Sequence, residues 1–594
     1  MTPRYSIGID LGTTNSVVGY VDLNDESRAV RLLDLPQIST PGSVKAFPLL
    51  PSFLYLATDD EAASGSIDLP WANHMTYAVG GWARTRSMEA PDRTVAAAKS
   101  WLCHGRVNRR DPILPWNAPD SVPKVSPVEA SRRYLAHIVS AWNAAFPNAP
   151  LNGQQVALTV PASFDAVARE LTREAALGAG LPEQLILLEE PQAALYAWLA
   201  ARGAQWRRDL REGDRILVCD VGGGTTDLTL IRVESEAGQL ELRRVRVGNH
   251  ILVGGDNMDI AIAHSAREAF ADKAVVLDPW QAVGLWHACR QAKETLLGEK
   301  APQTCPVTVL GRGRRVIGGT IRVDLHRKEV ERLLVDGFFP ECRRNDEPVR
   351  PPASGFRELG LPYESDAAIT RHLAQFLSIS EKAGAEEPPP THVLLNGGVF
   401  KAQALTQRLL AVVQSWYGPK QAPRMLVTAP ELDYAVARGA AYYGAAKLGK
   451  GIRIRGGAPR SYYVGIETAM PAVPGAPPPI KALCVLPQGQ EEGTETDVPG
   501  DPIGLVVGEP ARFRFFSSNA RGADAPGAVL NAWRSDELTE TAPMETELKA
   551  KDHAGDLIPV RFHVRLTELG VFELWCVGQD AGQKWKLEFN IREG

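Results

Sequence analysis

The chain has 594 residues, of which 44% are hydrophobic and 23% charged, and its formal net charge is −5. This length and composition leave room for several globular domains with sizeable cores. The nearly balanced charge offers no basic footprint for nucleic acid, and no apolar run reaches the length of a membrane span. We therefore expect neither nucleic acid nor a membrane as a partner.

The cysteines and the N-terminal residues indicate a cellular compartment. The seven cysteines are scattered, and no two of them form a C-x-x-C pair. Asp10 interrupts the first apolar segment, so the start of the chain does not read as a signal peptide. Both features predict a cytoplasmic protein with reduced thiols.

The first element is an apolar strand that runs into a polar turn. Ile7–Ile9 leads to Asp10, and Val17–Val21 continues after a turn that contains Gly12, Thr13, Thr14 and Asn15. Glycine lets backbone N–H groups approach an oxyanion closely, and carboxylate and hydroxyl oxygens suit Mg²⁺. A single such turn is weak evidence, because tight turns between strands need glycine anyway.

Lys99 stands in an apolar stretch with helical character, TVAAAKSW from Thr94 to Trp101. A lysine in that setting is often a surface residue whose stem covers apolar groups. If the end of the helix faces a phosphate, the same side chain would be a point charge on it. The stretch leaves both interpretations open.

A strand over Leu185–Leu188 ends at Glu190, and Pro191 suits the first turn of the helix that follows. The carboxylate of Glu190 could lie in a cleft at this strand-to-helix junction. Taken alone, stabilisation of an acid by the helix dipole is the commoner reason for its presence.

The polar turn of the N-terminus occurs a second time. An apolar strand, Ile216–Val218, leads to Asp220, and the turn supplies Gly222, Gly223, Gly224, Thr225 and then Asp227 before another apolar strand. Two distant copies with matched carboxylates predict two similar halves that face each other across a cleft. Each half would contribute one hairpin to the same Mg²⁺-phosphate group.

Further glycine-bearing junctions follow. Gly254 and Gly255 precede a helix that begins near Met258, an arrangement typical of an anion site. The strand in Thr391–Gly398 ends in paired glycines and would form the floor under an adenosine. Asp433 begins an alanine-rich helix.

The composition changes near residue 450, where we place a domain boundary. After a proline-rich stretch, Val560, Phe562, Val564 and Leu566 alternate with polar residues, as do Trp585, Leu587, Phe589 and Ile591. This alternation predicts half-buried antiparallel strands, with turns at Gly570 and Gly582. We expect no helical segment after the last strand.

Six motifs follow one another in the chain: GIDLGTTNS, LTVPASF, EEPQAAL, DVGGGTTD, LVGGDNMD and LLNGG. In that order they resemble the seventy-kilodalton heat-shock chaperones of the DnaK type. The resemblance covers nearly the whole chain and is most specific in its first part. It implies an α/β fold with a two-lobed actin-like ATPase domain, built as a duplicated ribonuclease H-like unit, and then an all-β sandwich. The implied domains are residues 1–450, a linker at 451–460, and a sandwich without a helical lid at 461–594.

The resemblance also implies roles for single residues. Asp10, Asp220 and Asp227 correspond to the carboxylates that surround Mg²⁺, mainly through water. Lys99, Glu190 and Thr225 complete the implied catalytic set. The implied nucleotide-binding residues are Gly12, Thr13, Thr14, Asn15, Gly222, Gly223, Gly224, Gly254, Gly255, Lys293, Gly397, Gly398, Lys401 and Asp433. The implied cofactors are ATP or ADP and Mg²⁺, with K⁺ as a further candidate ion.

The chain departs from the family pattern in two places. At the adenosine clamp, Arg290, Glu294 and Leu297 replace an acid, a base and a serine, and Lys401 replaces a stacking arginine, which leaves the nucleotide preference open. At the contacts with partners, Ile186 replaces an arginine that helps to dock J-domain proteins, and Arg453–Gly457 replaces an apolar linker. Pro161 and Arg169 match the relay to the second domain.

The first functional hypothesis is an ATP-dependent chaperone that binds unfolded or extended client polypeptides. A J-domain co-chaperone and a nucleotide exchange factor are its expected partners, with altered docking. The second hypothesis is a slow actin-like ATPase that serves as a regulatory scaffold for one dedicated protein. A sugar kinase is a third, because such kinases share the twin hairpins, but EEPQAAL and the β-rich tail argue against it.

Overall fold

The structure is a computed structural model that describes residues 2–25, 29–104, 107–116, 118–236, 239–249, 251–298, 300–309, 321–350, 361, 363–382, 388–427, 431–450, 454–455, 458, 460–469, 479–490, 494–508, 510–534, 537–541, 544–547, 557–566, 572–578 and 583–587. Within these residues a mixed α/β part comes first, and an all-β part follows it from Ser461 onwards. Every cysteine of the chain is free, as the sequence predicts. No helix within the described ranges is both long enough and apolar enough to cross a membrane.

The first sheet is built on the N-terminal hairpin. Its described strands, in order across the sheet, are Ile186–Glu189, Gln155–Val160, Tyr5–Leu11, Asn15–Asp22 and Arg31–Leu32, with Leu49–Pro51 paired to Asn15–Asp22. Tyr5–Leu11 runs antiparallel to its hairpin partner and parallel to Gln155–Val160. Its apolar residues share a core with helices Pro127–Ala145 and Ala166–Gly178.

The second sheet repeats this arrangement around the second hairpin. Its described strands are Arg424–Met425, His392–Asn396, Arg215–Val221, Thr226–Glu236, Gln239–Val247 and Ile454–Arg455. Arg215–Val221 runs antiparallel to Thr226–Glu236 and parallel to His392–Asn396. The repeated motif in the sequence therefore corresponds to a repeated strand order.

Two helices join the sheets. Glu190–Arg202 and Leu432–Ala445 share one buried cluster with apolar residues from both sheets, among them Ile186 and Ile216. The other α-helices described are Asp59–Ala63, Gly81–Glu89, Ala98–Trp101, Trp206–Asp209, Gly255–Ala271, Pro279–Leu297, Arg327–Phe338, Ile369–Lys382 and Gln403–Ser415. Short 3₁₀ turns lie at Pro91–Arg93, Leu151–Gly153, Gly203–Gln205 and Gly398–Lys401, and Ala446–Lys450 forms a π-helical turn.

Smaller sheets accompany these elements. Their strands are Leu35–Thr40 with Ser43–Phe47, Leu54–Leu56 with Tyr77–Val79 and Thr94–Val95, and Thr304–Val309 with Ile321–His326. The last pair flanks residues 310–320, which lie outside the described ranges.

The all-β part consists of two packed sheets and a short ribbon in the residues described. One sheet holds Ser461–Glu467, Ile480–Leu486, Phe515–Ser518, Val529–Leu530 and Thr539–Glu540, and the other holds Thr494–Asp497, Ile503–Val506, Leu557–Leu566, Phe572–Gly578 and Lys584–Leu587. The ribbon is Pro510–Phe513 with Met544–Glu547. Apolar residues of both sheets form one core, to which Val464 and Phe562 belong. The predicted alternation over Val560–Leu566 is confirmed, whereas the predicted turns at Gly570 and Gly582 lie outside the described residues.

The two parts touch at the end of strand Gln239–Val247. Arg460 Nη2 donates to the carbonyl of Gly248 at 3.5 Å, and Asn519 Nδ2 donates to Asn249 Oδ1 at 2.8 Å. Ile454–Arg455 falls within the predicted linker, and it pairs in parallel with Leu242–Arg243. That segment therefore belongs to the second sheet.

Candidate functional site

The two glycine-bearing turns, one from each sheet, lie in contact. A Cβ atom added at Gly223 would stand 1.9 Å from Thr14 Oγ1, and one added at Gly224 would stand 3.1 Å from Thr13 Cγ2. A Cβ at position 223 fits only if the Thr14 hydroxyl moves away, since a normal carbon–oxygen contact needs more than 3 Å. The glycine thus permits the close approach of the two hairpins.

A cavity of about 800 Å³ opens beside these turns. Most of the predicted site residues line it: Asp10, Gly12, Thr13, Thr14, Asn15, Lys99, Glu190, Asp220, Gly222, Gly223, Thr225, Gly255, Lys293, Gly397, Gly398, Lys401 and Asp433. Gly224, Asp227 and Gly254 are not among its lining residues. The volume falls in the usual range for small-molecule sites.

Asp10 is the penultimate residue of strand Tyr5–Leu11 and lines the cavity. Thr159 Oγ1, on the parallel neighbour strand, donates to Asp10 Oδ1 at 3.1 Å. Burial raises the pKa of Asp10 to about 7, while the positive charge of Lys99 opposes that rise. A buried carboxylate of this kind is stabilised in its charged form by a nearby cation.

Asp220 holds the matching place on the second sheet. Asn396 Nδ2 donates to Asp220 Oδ2 at 2.8 Å, because the parallel register sets the two residues side by side. Gly397 follows with φ +94, and a Cβ there would meet the carbonyl of Val221 at 2.2 Å. Burial raises the pKa of Asp220 well above its ordinary value, and the nearby charge of Glu190 raises it further.

Asp227 is also buried. It faces Asp220 across the hairpin, and its Oδ1 accepts the backbone N–H of Ser163 at 3.3 Å. Burial raises the pKa of Asp227, and Lys99 is among the charges that lower it. The role of Asp227 near a cation stays a prediction.

Lys99 is a buried residue of the cavity wall, with 8% of its surface exposed. It forms an ion pair with Glu190, the first residue of helix Glu190–Arg202. Burial alone would lower the pKa of Lys99, but the charges of Glu190 and Asp10 outweigh it and raise that pKa. The alternative of a surface lysine is thus wrong. The predicted helix is shorter than expected, since Thr94–Val95 is a strand and the helix covers Ala98–Trp101.

The predicted anion site at Gly254–Gly255 needs correction. Helix Gly255–Ala271 does begin there, but its first amides already have partners. The N–H of Gly255 donates to the carbonyl of Gly222 at 3.0 Å, and that of Asp256 donates to the carbonyl of Gly223 at 2.6 Å. The helix N-terminus therefore anchors the second turn instead of offering free amides to an anion.

Two acids and two bases form a buried cluster where helices Gly255–Ala271 and Pro279–Leu297 meet. Arg290 pairs with Asp256 and also with Asp259, whose Oδ2 lies 2.7 Å from its Nε. Lys293 Nζ lies 2.6 Å from Asp259 Oδ1 and donates to the carbonyl of Gly255 at 3.0 Å. Both bases line the cavity with their charges already compensated by acids.

Lys401 and Asp433 form an ion pair on the opposite wall. Gly397 and Gly398 come just before Lys401, and Asp433 lies in the first turn of helix Leu432–Ala445. The structure thus brings together the two residues that the sequence could only place separately on the nucleotide floor.

The carboxylates form an environment in which a cation would be stabilised. Among the residues that the structure describes, no group of three or more His, Cys, Asp or Glu side chains is arranged to hold a metal ion. Burial nevertheless raises the pKa of Asp10, Asp220 and Glu190, so a positive charge brought into the cavity would stabilise them as anions. The residues present therefore fit a phosphate group accompanied by a divalent cation.

Sequence reasoning missed several contributors. Thr159 and Asn396 hold the two acids, and Asp256 and Asp259 hold the two bases. A signal for Asn396 existed, because it is the last residue of a strand just before a paired glycine.

Fold and site together define a mixed α/β protein with an acidic, glycine-lined cavity between two sheets of matching strand order. Residues 75–345 match the family model described as Hsp70 protein. This match and the curated relatives below support an Hsp70-type family member.

Similar curated proteins carry related names. A chaperone protein HscA homolog of Acinetobacter baumannii is 29% identical over 302 residues, which are 49% of this chain and 42% of the relative. Chaperone protein HscA of Pectobacterium carotovorum is 30% identical over 279 residues, 45% of this chain and 38% of the relative. A chaperone protein HscA homolog of Acidithiobacillus ferrooxidans is 30% identical over 360 residues, 57% of this chain and 49% of the relative. The matched regions thus span less than half the length of each of these relatives.

Proposed function

We propose that the α/β part, residues 1–450, is a two-lobed actin-like ATPase domain that binds ATP or ADP with Mg²⁺ and hydrolyses ATP. The observation that carries this proposal is the contact between the two glycine-bearing turns, with Gly223 against Thr14 at the mouth of an acidic cavity. Hydroxyls of Thr13, Thr14 and Thr225 and the amides of both turns would face the phosphates from two sides. Phosphoryl transfer depends mainly on such positioning and charge compensation.

Lys99 would hold the terminal phosphate and orient the attacking water. Its ion pair with Glu190 fixes the ammonium group, since both side chains are buried and Glu190 is anchored at a helix start. Asp10 and Asp220, each held by one hydrogen bond from a neighbour strand, would accept hydrogen bonds from water around the cation. Mg²⁺, and K⁺ beside it, would supply charge that screens the phosphates.

A binding experiment tests this proposal. Thermal unfolding of the full chain with Mg²⁺ and ATP or ADP should show a higher melting transition than without nucleotide. Ligand at a hundred times its Kd should stabilise the fold by roughly 2.7 kcal/mol. No shift with either nucleotide, together with no heat in calorimetry, would contradict the proposal.

We propose that the all-β part, residues 461–594, is a sandwich that binds extended apolar segments of client polypeptides under control of ATP. Support comes from the two sheets that share one core and from the curated relatives named as chaperones. A J-domain co-chaperone and a nucleotide exchange factor would be its helpers. The free cysteines agree with a cytoplasmic site of action.

Coupling between the parts would pass through a buried charge triad. Glu189 Oε1 accepts from Arg169 Nη2 at 2.7 Å, and Arg244 pairs with the other carboxylate oxygen. Burial raises the pKa of Tyr462 in the all-β part, and the charges of Arg169 and Arg244 act against that rise. Through these charges, the triad would respond to a movement of Tyr462.

The second candidate is a regulatory scaffold with a slow ATPase cycle. Its support is the polar character of Arg455, which lies in a segment where the chaperone family has an apolar linker. A peptide array probed with and without ATP separates the two. Binding of many apolar peptides that ATP weakens favours the chaperone, and tight binding of one partner favours the scaffold.

A further inference from the structure

An aromatic side chain, Phe47, lies on the rim of the cavity. It belongs to the paired strands Leu35–Thr40 and Ser43–Phe47, which we call the rim hairpin. Of the large apolar side chains that are exposed in the described part of the chain, Phe47 alone lines this cavity, and 46% of its surface is exposed. Lys99 and Asp220 line the same cavity but are buried. The cavity therefore extends from buried charged groups to a partly apolar rim at the surface.

A buried amide fixes the rim hairpin in place. Gln37 is 2% exposed, and its Nε2 donates to the carbonyl of Leu49 at 2.9 Å. Its Oε1 accepts the N–H of Gly81 at 2.7 Å. Loss of either hydrogen bond would leave a buried polar group unsatisfied, which is costly. Phe47 is therefore held on a fixed support, because its strand pairs with the strand that carries Gln37.

The support of the rim hairpin also touches the other half of the molecule. Helix Gly81–Glu89, to which the rim hairpin is bonded, lines the cavity through Arg84. A Cβ added at Gly284, in helix Pro279–Leu297, would lie 3.8 Å from the carbonyl of Met88. Helix Pro279–Leu297 shares its buried core with the second sheet. The two halves therefore meet beside the cavity, next to the element that carries the rim hairpin.

The position of Phe47 indicates a role that its exposure alone would not, because single apolar residues are common on protein surfaces. Covering an aromatic ring removes apolar surface from water and is favourable. We propose that the rim hairpin is a lid, in which Phe47 covers the outer end of a nucleotide whose phosphates lie between the two turns and thereby slows its dissociation. This inference rests on the proposed nucleotide-binding function.

The test measures how fast a nucleotide leaves. The full chain is loaded with radiolabelled ADP and Mg²⁺, unlabelled ADP is added in excess, and the label that stays bound is followed with time. Phe47→Ala should raise the dissociation rate about two- to twelvefold, the range for one aromatic contact. The association rate should change less, because contacts of the bound state act mainly on dissociation. Phe47→Leu keeps apolar surface without the ring, so its rate should lie between those of wild type and Phe47→Ala.

Three controls isolate the lid. Val44→Ala removes a side chain, 37% exposed, from the same strand but not from the cavity wall, and it should leave the dissociation rate unchanged. Inorganic tripolyphosphate with Mg²⁺ reports the phosphate end alone and should bind wild type and Phe47→Ala equally in calorimetry. Without ligand, the melting transitions of Phe47→Ala and Val44→Ala should agree, since both side chains are exposed.

The outcomes separate the lid from the proposed function. Three results would each overturn the lid and leave the proposed ATPase intact: a rise of less than about twofold for Phe47→Ala, an equal rise for Val44→Ala, or weaker binding of tripolyphosphate to Phe47→Ala. If neither ADP nor tripolyphosphate binds wild type, the proposed function fails and the lid fails with it.

Discussion

The close approach of Gly223 to Thr14 gives the sharpest prediction. In Gly223→Ala, the new Cβ would lie 1.9 Å from Thr14 Oγ1 and 3.2 Å from Thr14 Cβ. To relieve this overlap, the Thr14 side chain must change rotamer or the two turns must separate, which should cost about 1 to 3 kcal/mol. If binding of ATP requires the turns to return, the same energy weakens the affinity about 5- to 150-fold.

A second substitution should relieve the first. Thr14→Ala removes Oγ1, so the remaining approach in the double variant is the 3.2 Å contact between the two Cβ positions. We therefore expect Thr14→Ala/Gly223→Ala to have a higher melting transition than Gly223→Ala alone, measured against the single Thr14→Ala variant. This positive coupling is the expected result of a double-mutant cycle for residues in contact.

Gly222→Ala is the matched control. Its Cβ would meet only the carbonyl of Thr225, at 3.7 Å, an ordinary contact on the same turn. It should leave the melting transition unchanged or slightly raised, because alanine restricts the unfolded chain. The contact between the turns would be refuted by two results together. Gly223→Ala and Gly222→Ala would have the same melting temperature, and Thr14→Ala would not restore the stability of Gly223→Ala.

Three further outcomes follow from buried charges. Lys99→Gln should slow single-turnover ATP hydrolysis about 10²- to 10³-fold, because a charge contact to the transition state is lost. The affinity for ATP, measured by calorimetry, should change less. A hydrolysis rate above a tenth of the wild-type rate would contradict this prediction. Burial lowers the pKa of His137 from 6.5 to about 4. Between these values the unfolded chain binds the proton more readily than the folded chain does. The free energy of unfolding should therefore fall by about 3 kcal/mol for this ring as the pH drops from 6.5 towards 4. Thermal melts across that range should be flatter for His137→Asn, and equal slopes would argue against the ring as the cause. Glu189→Gln removes the buried carboxylate that pairs with Arg169 and Arg244, and it should cost about 3 kcal/mol. Glu174→Gln loses only an exposed pair with Arg110 and should shift the melting transition little. Equal shifts would contradict the triad.

The hairpins could be predicted because their signals are local. Apolar runs such as Ile216–Val218 fix the strands, and the glycines between Asp220 and Asp227 fix the turn, so the register follows from the sequence. The repeat of that pattern is matched by two sheets of similar strand order.

Burial and side-chain partners could not be predicted, because they depend on distant segments. Whether Lys99 lies at the surface is decided by Glu190, on another strand and helix of the same half. Thr159 is an ordinary strand residue until the parallel pairing of its strand sets it beside Asp10.

The anion site at Gly255 was wrong for a related reason. Local sequence shows that a helix begins there, and helix starts favour anions. It does not show that the carbonyls of Gly222 and Gly223, from the second hairpin, already accept the first amides. Competition between a ligand and another part of the chain is visible only in the folded protein.

The pairing of Ile454–Arg455 with Leu242–Arg243 has a consequence for solubility. Strand Gln239–Val247 would otherwise be the outer strand of its sheet, with a row of unsatisfied peptide groups that could recruit another polypeptide. The short segment pairs with Leu242 and Arg243 and so covers this part of the strand's edge. If a rearrangement separated this segment from the sheet, the edge of strand Gln239–Val247 would be exposed at these residues. Pairing with another molecule would then compete with the return of the segment.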